Sequence, residues 1–129
     1  MAELNRKVGE MNYDGLITDL NPPVQVRGGT IAKLAAEATY ARGTILAKSD
    51  TDSKLYILGS TGAGTLTPDC ILCDDTDLGT VDDLNAAVYT AGCFDPGKVT
   101  VANGYTITEA DKDELRMRNI VFKAVFAAN

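Results

Sequence analysis

The chain has 129 residues and a mass of 13.7 kDa, room for one domain with a real core but not for a large two-domain enzyme. It carries 18 acidic against 12 basic side chains, a net charge of −6, which argues against nucleic acid or an anionic membrane as partner of the whole surface, since both need a basic face. It contains no His and no Trp, which removes the commonest general base, the Ser–His and Cys–His nucleophile pairs and nearly all catalytic zinc geometries.

The acids are 13 Asp and only 5 Glu, beside 12 Gly and 14 Thr. Asp prefers turns and caps, where its short side chain bonds nearby backbone N–H groups, so this composition predicts turn-rich β structure. Residues 1–48 hold 6 basic and 5 acidic side chains, residues 49–95 hold 1 and 9, and residues 96–129 hold 5 and 4. The whole acidic excess therefore sits in the middle third.

In chain order, residues 1–12 are polar, without a sustained apolar period, and predict a mobile terminus. Residues 13–23 set Tyr13, Leu16, Ile17 and Leu20 among polar neighbours, then Pro22-Pro23, a pair that favours extended backbone. An extended arm over 1–26 follows, either lying along its own domain or docking on another molecule. The candidate docking residues are Tyr13, Leu16, Ile17, Leu20, Pro22, Pro23, Val24 and Val26. A β-rich domain is expected over 27–129. Val24, Val26 and Ile31 alternate around Gly28-Gly29, which suits a strand with a bend or hairpin. Residues 32–41 read as a short Ala-rich helix cut off before Gly43. Residues 44–47 and 54–58 form two strands around the turn 49–53, a hairpin.

Further along, residues 59–64 are a loop. Residues 70–73 are a short apolar strand closed by an acidic turn at 74–77, and residues 85–94 are another strand, ending at the turn Asp95-Pro96-Gly97. Residues 99–102 suggest one more short strand. Thr108 followed by Glu109 and Asp111 marks a helix start, with Arg116 and Arg118 suiting its far end. Residues 120–127 close the chain as a strand with Ile120, Phe122, Ala124 and Phe126 on one face. Residues 1–20 lack the apolar stretch of a signal peptide, and no apolar run approaches the roughly 20 residues of a membrane span. Three cysteines cannot all pair within the chain, which fits free thiols in a reducing interior.

Three patterns invite chemistry and fall short of it. The run from Gly59 to Gly64 lacks the Gly-Lys-Ser/Thr ending of a phosphate loop and meets Pro68 where a helix would follow. Cys70 and Cys73 point to opposite faces of a strand, and with only Cys93 besides and no His they cannot complete a four-ligand zinc site; they read as small buried apolar residues. Asp75-x-Asp77-x-Gly79 lacks the distal Glu of a calcium loop, and the six Asp between 69 and 83 read as solvated turns that keep copies apart. No catalytic residue, metal or cofactor is expected.

The order and spacing of Arg42-Gly43-Thr44-Ile45-Leu46, the hairpin 49–58, Val88-Tyr89-Thr90-Ala91-Gly92-Cys93-Phe94, the late helix and the closing strand resemble the head decoration (capsid cement) proteins of tailed bacteriophages, of the lambda type. The likeness covers positions 40–126, about two thirds of the chain. It implies a small β-rich fold of the β-tulip type, assembling as homotrimers on the outside of the expanded head. The arm would reach the major capsid protein, and the trimers would hold the shell against DNA pressure, with no direct contact to nucleic acid or membrane. The arm before Val24 and the loop 59–68 depart from the family pattern. Other classes that fit the residues are a head fibre base or tail subunit, and a sugar-binding β module. A small hydrolase is disfavoured by the absence of His.

Overall fold

The longest strand organises the molecule. The computed structural model describes residues 15–61 and 64–123. In chain order its strands are β1 (Ile17–Asp19), β2 (Gln25–Ile31), β3 (Ala38–Tyr40), β4 (Ile45–Ser49), β5 (Leu55–Ile57), β6 (Leu66–Leu72), β7 (Thr76–Leu78) and β8 (Leu84–Phe94). The helix α1 (Glu109–Met117) follows, and then β9 (Ile120–Phe122). Residues 84–91 of β8 pair antiparallel with β2, Val88 and Tyr89 pair antiparallel with β6, and the ring continues β2–β5–β4–β6, closing a five-stranded barrel. Its last residues change partners: Cys93 and Phe94 pair with β1, and Gly92 to Phe94 run parallel to β9. At the changeover, Gly92 has φ +149°, and a Cβ there would stand 2.9 Å from Phe94 Cζ.

Period-2 alternation in three barrel strands feeds two cores rather than one core and a wet face. Leu46, Cys70, Leu72 and Val88 join Ile31, Leu55 and Leu78 in one cluster. The barrel strands supply all of these but Leu78, so this is the barrel interior. Ile45, Ala47, Ile71, Cys73 and Tyr89 point the other way and pack with Leu16, Phe94, Leu115 and Ile120. That outer core is covered by β1, β9 and α1. Strands buried on both faces explain the continuous apolar runs at 45–47 and 70–73.

The hairpin of β4 and β5 forms as expected, with Leu46 opposite Ile57 and Lys48 opposite Leu55. So does the helix, within one residue. Thr108 Oγ1 accepts from the Asp111 N–H while the Asp111 carboxylate accepts from the Thr108 N–H, a full capping box. β9 begins at Ile120 as expected; Ala124 and Phe126 lie outside the described residues, as do residues 1–14.

Four expectations fail. Gly28-Gly29 makes no hairpin: β2 runs straight through it, in register with β8 from Val26 to Ile31. A Cβ at Gly29 would come within 2.7 Å of Leu55 Cδ1, so the glycine lets the Leu55 side chain pack directly against β2. Residues 32–41 are not helical, because their backbone is claimed from afar. The Lys33 N–H donates to Asp83 Oδ1 at 2.9 Å, the Leu34 N–H to the Gly79 carbonyl at 2.9 Å, and β3 pairs with β7. The acidic stretch 74–77 is therefore no simple turn, since β7 starts inside it. Residues 99–102 form only an isolated bridge, Thr44 with Thr100. Among the described residues, no helix is long and apolar enough to cross a membrane.

Candidate functional site

The eight candidate docking residues do not stay together. Tyr13 lies outside the described residues. Leu16 is only 2% exposed and belongs to the outer core. Ile17 is half-buried in β1, opposite Phe94, and Val24 is half-buried against the same core. The segment from 15 to 26 thus lies along its own domain, and Leu16 in particular is committed there. Pro22 is half-buried and Pro23 exposed. Two large apolar side chains face outward: Leu20, 78% exposed, and Val26, 58% exposed.

Local chemistry fixes the ground around Leu20. The Leu20 N–H donates to Asp19 Oδ1 at 2.7 Å, and Lys123 Nζ lies 3.3 Å from Asp19 Oδ2. The backbone donor and then the Lys123 ammonium hold the Asp19 carboxyl below its ordinary range. β1 pairs with β8 alone, so its outer edge is open among the described residues. An open edge exposes unpaired N–H and C=O groups, the usual template for an added strand.

The other end of β8 is different. Asp74, Asp75, Asp77, Asp82 and Asp83 gather around its Leu84 end, brought there by β6, by the β3–β7 ribbon and by direct chain continuity. Several of these carboxylates act as pins. Asp75 accepts from the Arg42 N–H at 2.8 Å, Asp77 from Thr39 Oγ1 at 2.6 Å, and Asp83 from the Lys33 N–H and Lys54 Nζ. Lys54 and the Lys33 N–H keep the Asp83 carboxyl below its ordinary range. No group of three or more His, Cys, Asp or Glu able to hold a metal occurs among the described residues. With ~3.3 Å per residue, the eleven residues of β8 run roughly 33 Å from Leu84 to Phe94, with the acidic turns at the first end and Asp19, opposite Cys93, near the other.

The thiols are sequestered. Cys70 lies in the inner core and Cys73 in the outer one, as opposite-facing strand neighbours. Burial pushes the Cys70 thiol far up, and burial with the nearby Asp74 pushes Cys73 up to about 11. Arg42 closes the space above Cys73: its Nη1 donates to the Cys73 carbonyl and to the Tyr89 hydroxyl. Gly59, Ser60 and Gly64 hold no helix that could complete a phosphate loop; residues 62 and 63 lie outside the described residues.

Sequence reasoning missed Val81, 75% exposed, and Met117, 77% exposed. Val81 gives a faint signal, an apolar residue alone in the polar run Thr80-Val81-Asp82-Asp83. Met117 gives none, since helix periodicity allows it on either face.

The family model described as bacteriophage lambda head decoration protein D matches residues 8–120. No curated protein matches the chain.

Proposed function

Because the chain belongs to the family of the bacteriophage lambda head decoration protein D, and with it to the proteins that decorate phage capsids, we propose that it binds the outer surface of an expanded head as homotrimers and holds the shell against internal DNA pressure. Its partners in this reading are the major capsid protein and further copies of itself. Its role is structural rather than enzymatic, and it touches neither nucleic acid nor membrane.

The observation that carries this reading is the polarity along β8. Leu20 and the open edge of β1 stand at one end, and the Asp-rich turns stand at the other. A molecule bound through the first end points its acids outward, where they repel neighbouring virions and free copies. The capsid contact is an added strand on β1, with Leu20, Pro23 and Val26 as apolar contacts. Leu16, Ile17 and Val24 support that surface from behind.

The experiment separates the two layers. Full-length protein, a deletion of residues 1–14, and Leu20→Asp are each titrated onto undecorated expanded capsids. Weakened binding by the deletion and by Leu20→Asp, with folding intact, supports the contact. Unchanged saturation and affinity for both would remove this end of the molecule as the docking surface. The membership in a decoration family favours this role over a tail subunit, a fibre base or a sugar-binding module.

A further inference from the structure

Four asparagines lie among the described residues, and their neighbours set one of them apart. Asn21 precedes Pro22, which has no N–H. Asn85 lies in β8 opposite Thr30, and its side chain accepts from Thr30 Oγ1 at 2.8 Å. Asn119 precedes Ile120, which is fully buried and paired with Gly92 in β9. Asn103 precedes Gly104, and both are exposed. Among the described residues no hydrogen bond holds the Asn103 side-chain amide or the Gly104 N–H.

These two residues form the middle of a tight turn. The Tyr105 N–H donates to the Ala102 carbonyl at 3.0 Å, and Gly104 has φ +84°, the positive value that a type II turn requires at that place. Nothing stands within 4 Å of the position a Cβ on Gly104 would take. The Gly104 nitrogen is therefore screened neither by a side chain of its own nor by a neighbour. It is tethered a few bonds from Asn103 Cγ, so attack on that carbon is intramolecular. The rotation about the Asn103 Cα–C bond that brings the two atoms together is resisted within the turn by the Tyr105–Ala102 hydrogen bond.

We propose that Asn103 is a site of spontaneous modification, passing through a succinimide to aspartate and isoaspartate. The Gly104 nitrogen forms a bond to Asn103 Cγ and gives up its proton. The Cγ–Nδ2 bond breaks, and Nδ2 leaves as ammonia. Water then opens the ring at either carbonyl. Opening at Cγ gives aspartate with the original backbone. Opening at the Asn103 backbone carbonyl gives isoaspartate, whose main chain runs through Cβ and Cγ. Water is the sole co-reactant.

Both products add a negative charge, and isoaspartate also lengthens the main chain inside the turn. The next residue is Tyr105, whose ring packs against Gly59 and whose hydroxyl donates to Asp111. The longer turn displaces Tyr105 and loosens the contact between Gly59 and the start of α1.

The test ages the full native chain in warm, mildly alkaline buffer beside Asn103→Gln and follows tryptic peptides by mass spectrometry, with an unaged digest as reference. Lys98 and Lys112 bound a peptide, residues 99–112, in which Asn103 is the sole asparagine. It is expected to convert several-fold faster than the peptides carrying Asn21, Asn85 and Asn119, to split into two isomers, and to accept methyl groups from an isoaspartate methyltransferase. The Asn103→Gln peptide should stay intact over the same period, because glutamine must close a larger ring. A native chain in which peptide 99–112 stays intact, or converts no faster than the other three, overturns the proposal. Aged protein carrying the added charge is then collected by anion exchange and compared with Asn103→Asp, which has the charge without the longer main chain. A lower urea midpoint for the aged protein is expected; equal midpoints overturn the displacement of Tyr105.

Discussion

The ring of Tyr105 occupies the space that a side chain at Gly59 would need: a Cβ there, on a backbone with φ +97°, would stand 2.8 Å from Tyr105 Cδ2 and closer still to Cγ. The Tyr105 hydroxyl in turn donates to the Asp111 carboxylate, which also accepts the Thr108 N–H. One glycine thereby connects the end of the β4–β5 hairpin to the start of α1.

Gly59→Ala meets both penalties at once, a left-handed backbone and a displaced ring. Together these cost roughly 3 kcal/mol. Urea unfolding should show a lower midpoint at an unchanged slope. An unaltered midpoint would show that the Tyr105 ring is not held there.

Thr108→Ala removes the acceptor for the Asp111 N–H, and half of the capping box goes with it. The expected loss is about 1 kcal/mol, and Thr108→Ser should recover most of it. Thermal unfolding of the three proteins side by side measures this.

Leu16 and Leu20 are four residues apart and should behave oppositely. Leu16→Ala empties a site in the outer core and should cost about 3 kcal/mol of stability. Leu20→Asp changes a side chain that is 78% exposed, so unfolding should be nearly unaffected while capsid binding weakens. Equal stability losses from both would place Leu20 in the core as well.

The thiols predict an alkaline limit. Burial, followed by the Asp74 charge, raises Cys73 from 9.0 in the unfolded chain to about 11 in the folded one, so the folded state keeps this proton longer. The resulting stability is present below pH 9 and disappears as pH climbs through 11. Burial of Tyr40 and Tyr89 raises their hydroxyls too, with the same sign. Urea midpoints should therefore fall across this range. At neutral pH a thiol reagent should label Cys70, Cys73 and Cys93 only after denaturant is added, because all three are buried. Prompt labelling of the native protein would contradict the two-core packing.

The parts of the fold legible in the sequence are those whose signals are local. The β4–β5 hairpin shows its strands and its Asp-Ser turn within ten residues, and Thr108 with Asp111 announces α1. The missed parts are held from a distance. Residues 32–41 have the composition of a helix, but Asp83 and Gly79 claim their N–H groups across some fifty residues of chain. Gly29 resembles a bend until Leu55 is seen packing against it. Leu16 and Ile17 look unpartnered because their partners, β8 and β9, come more than seventy residues later. The docking surface suffers most from this. Apolar residues without a local period read equally well as an arm or as core, and the contacts with β8 divide them: Leu16 inward, Leu20 outward.

The most direct test of the central claim is binding of the purified full chain to expanded capsids that carry no decoration protein, followed by imaging of the particles. Saturable binding is expected, with new density confined to the outer surface, and with the Leu20 end of each molecule against the shell and its Asp-rich end outward. Capsids that acquire no density, or density on their inner surface, would contradict it.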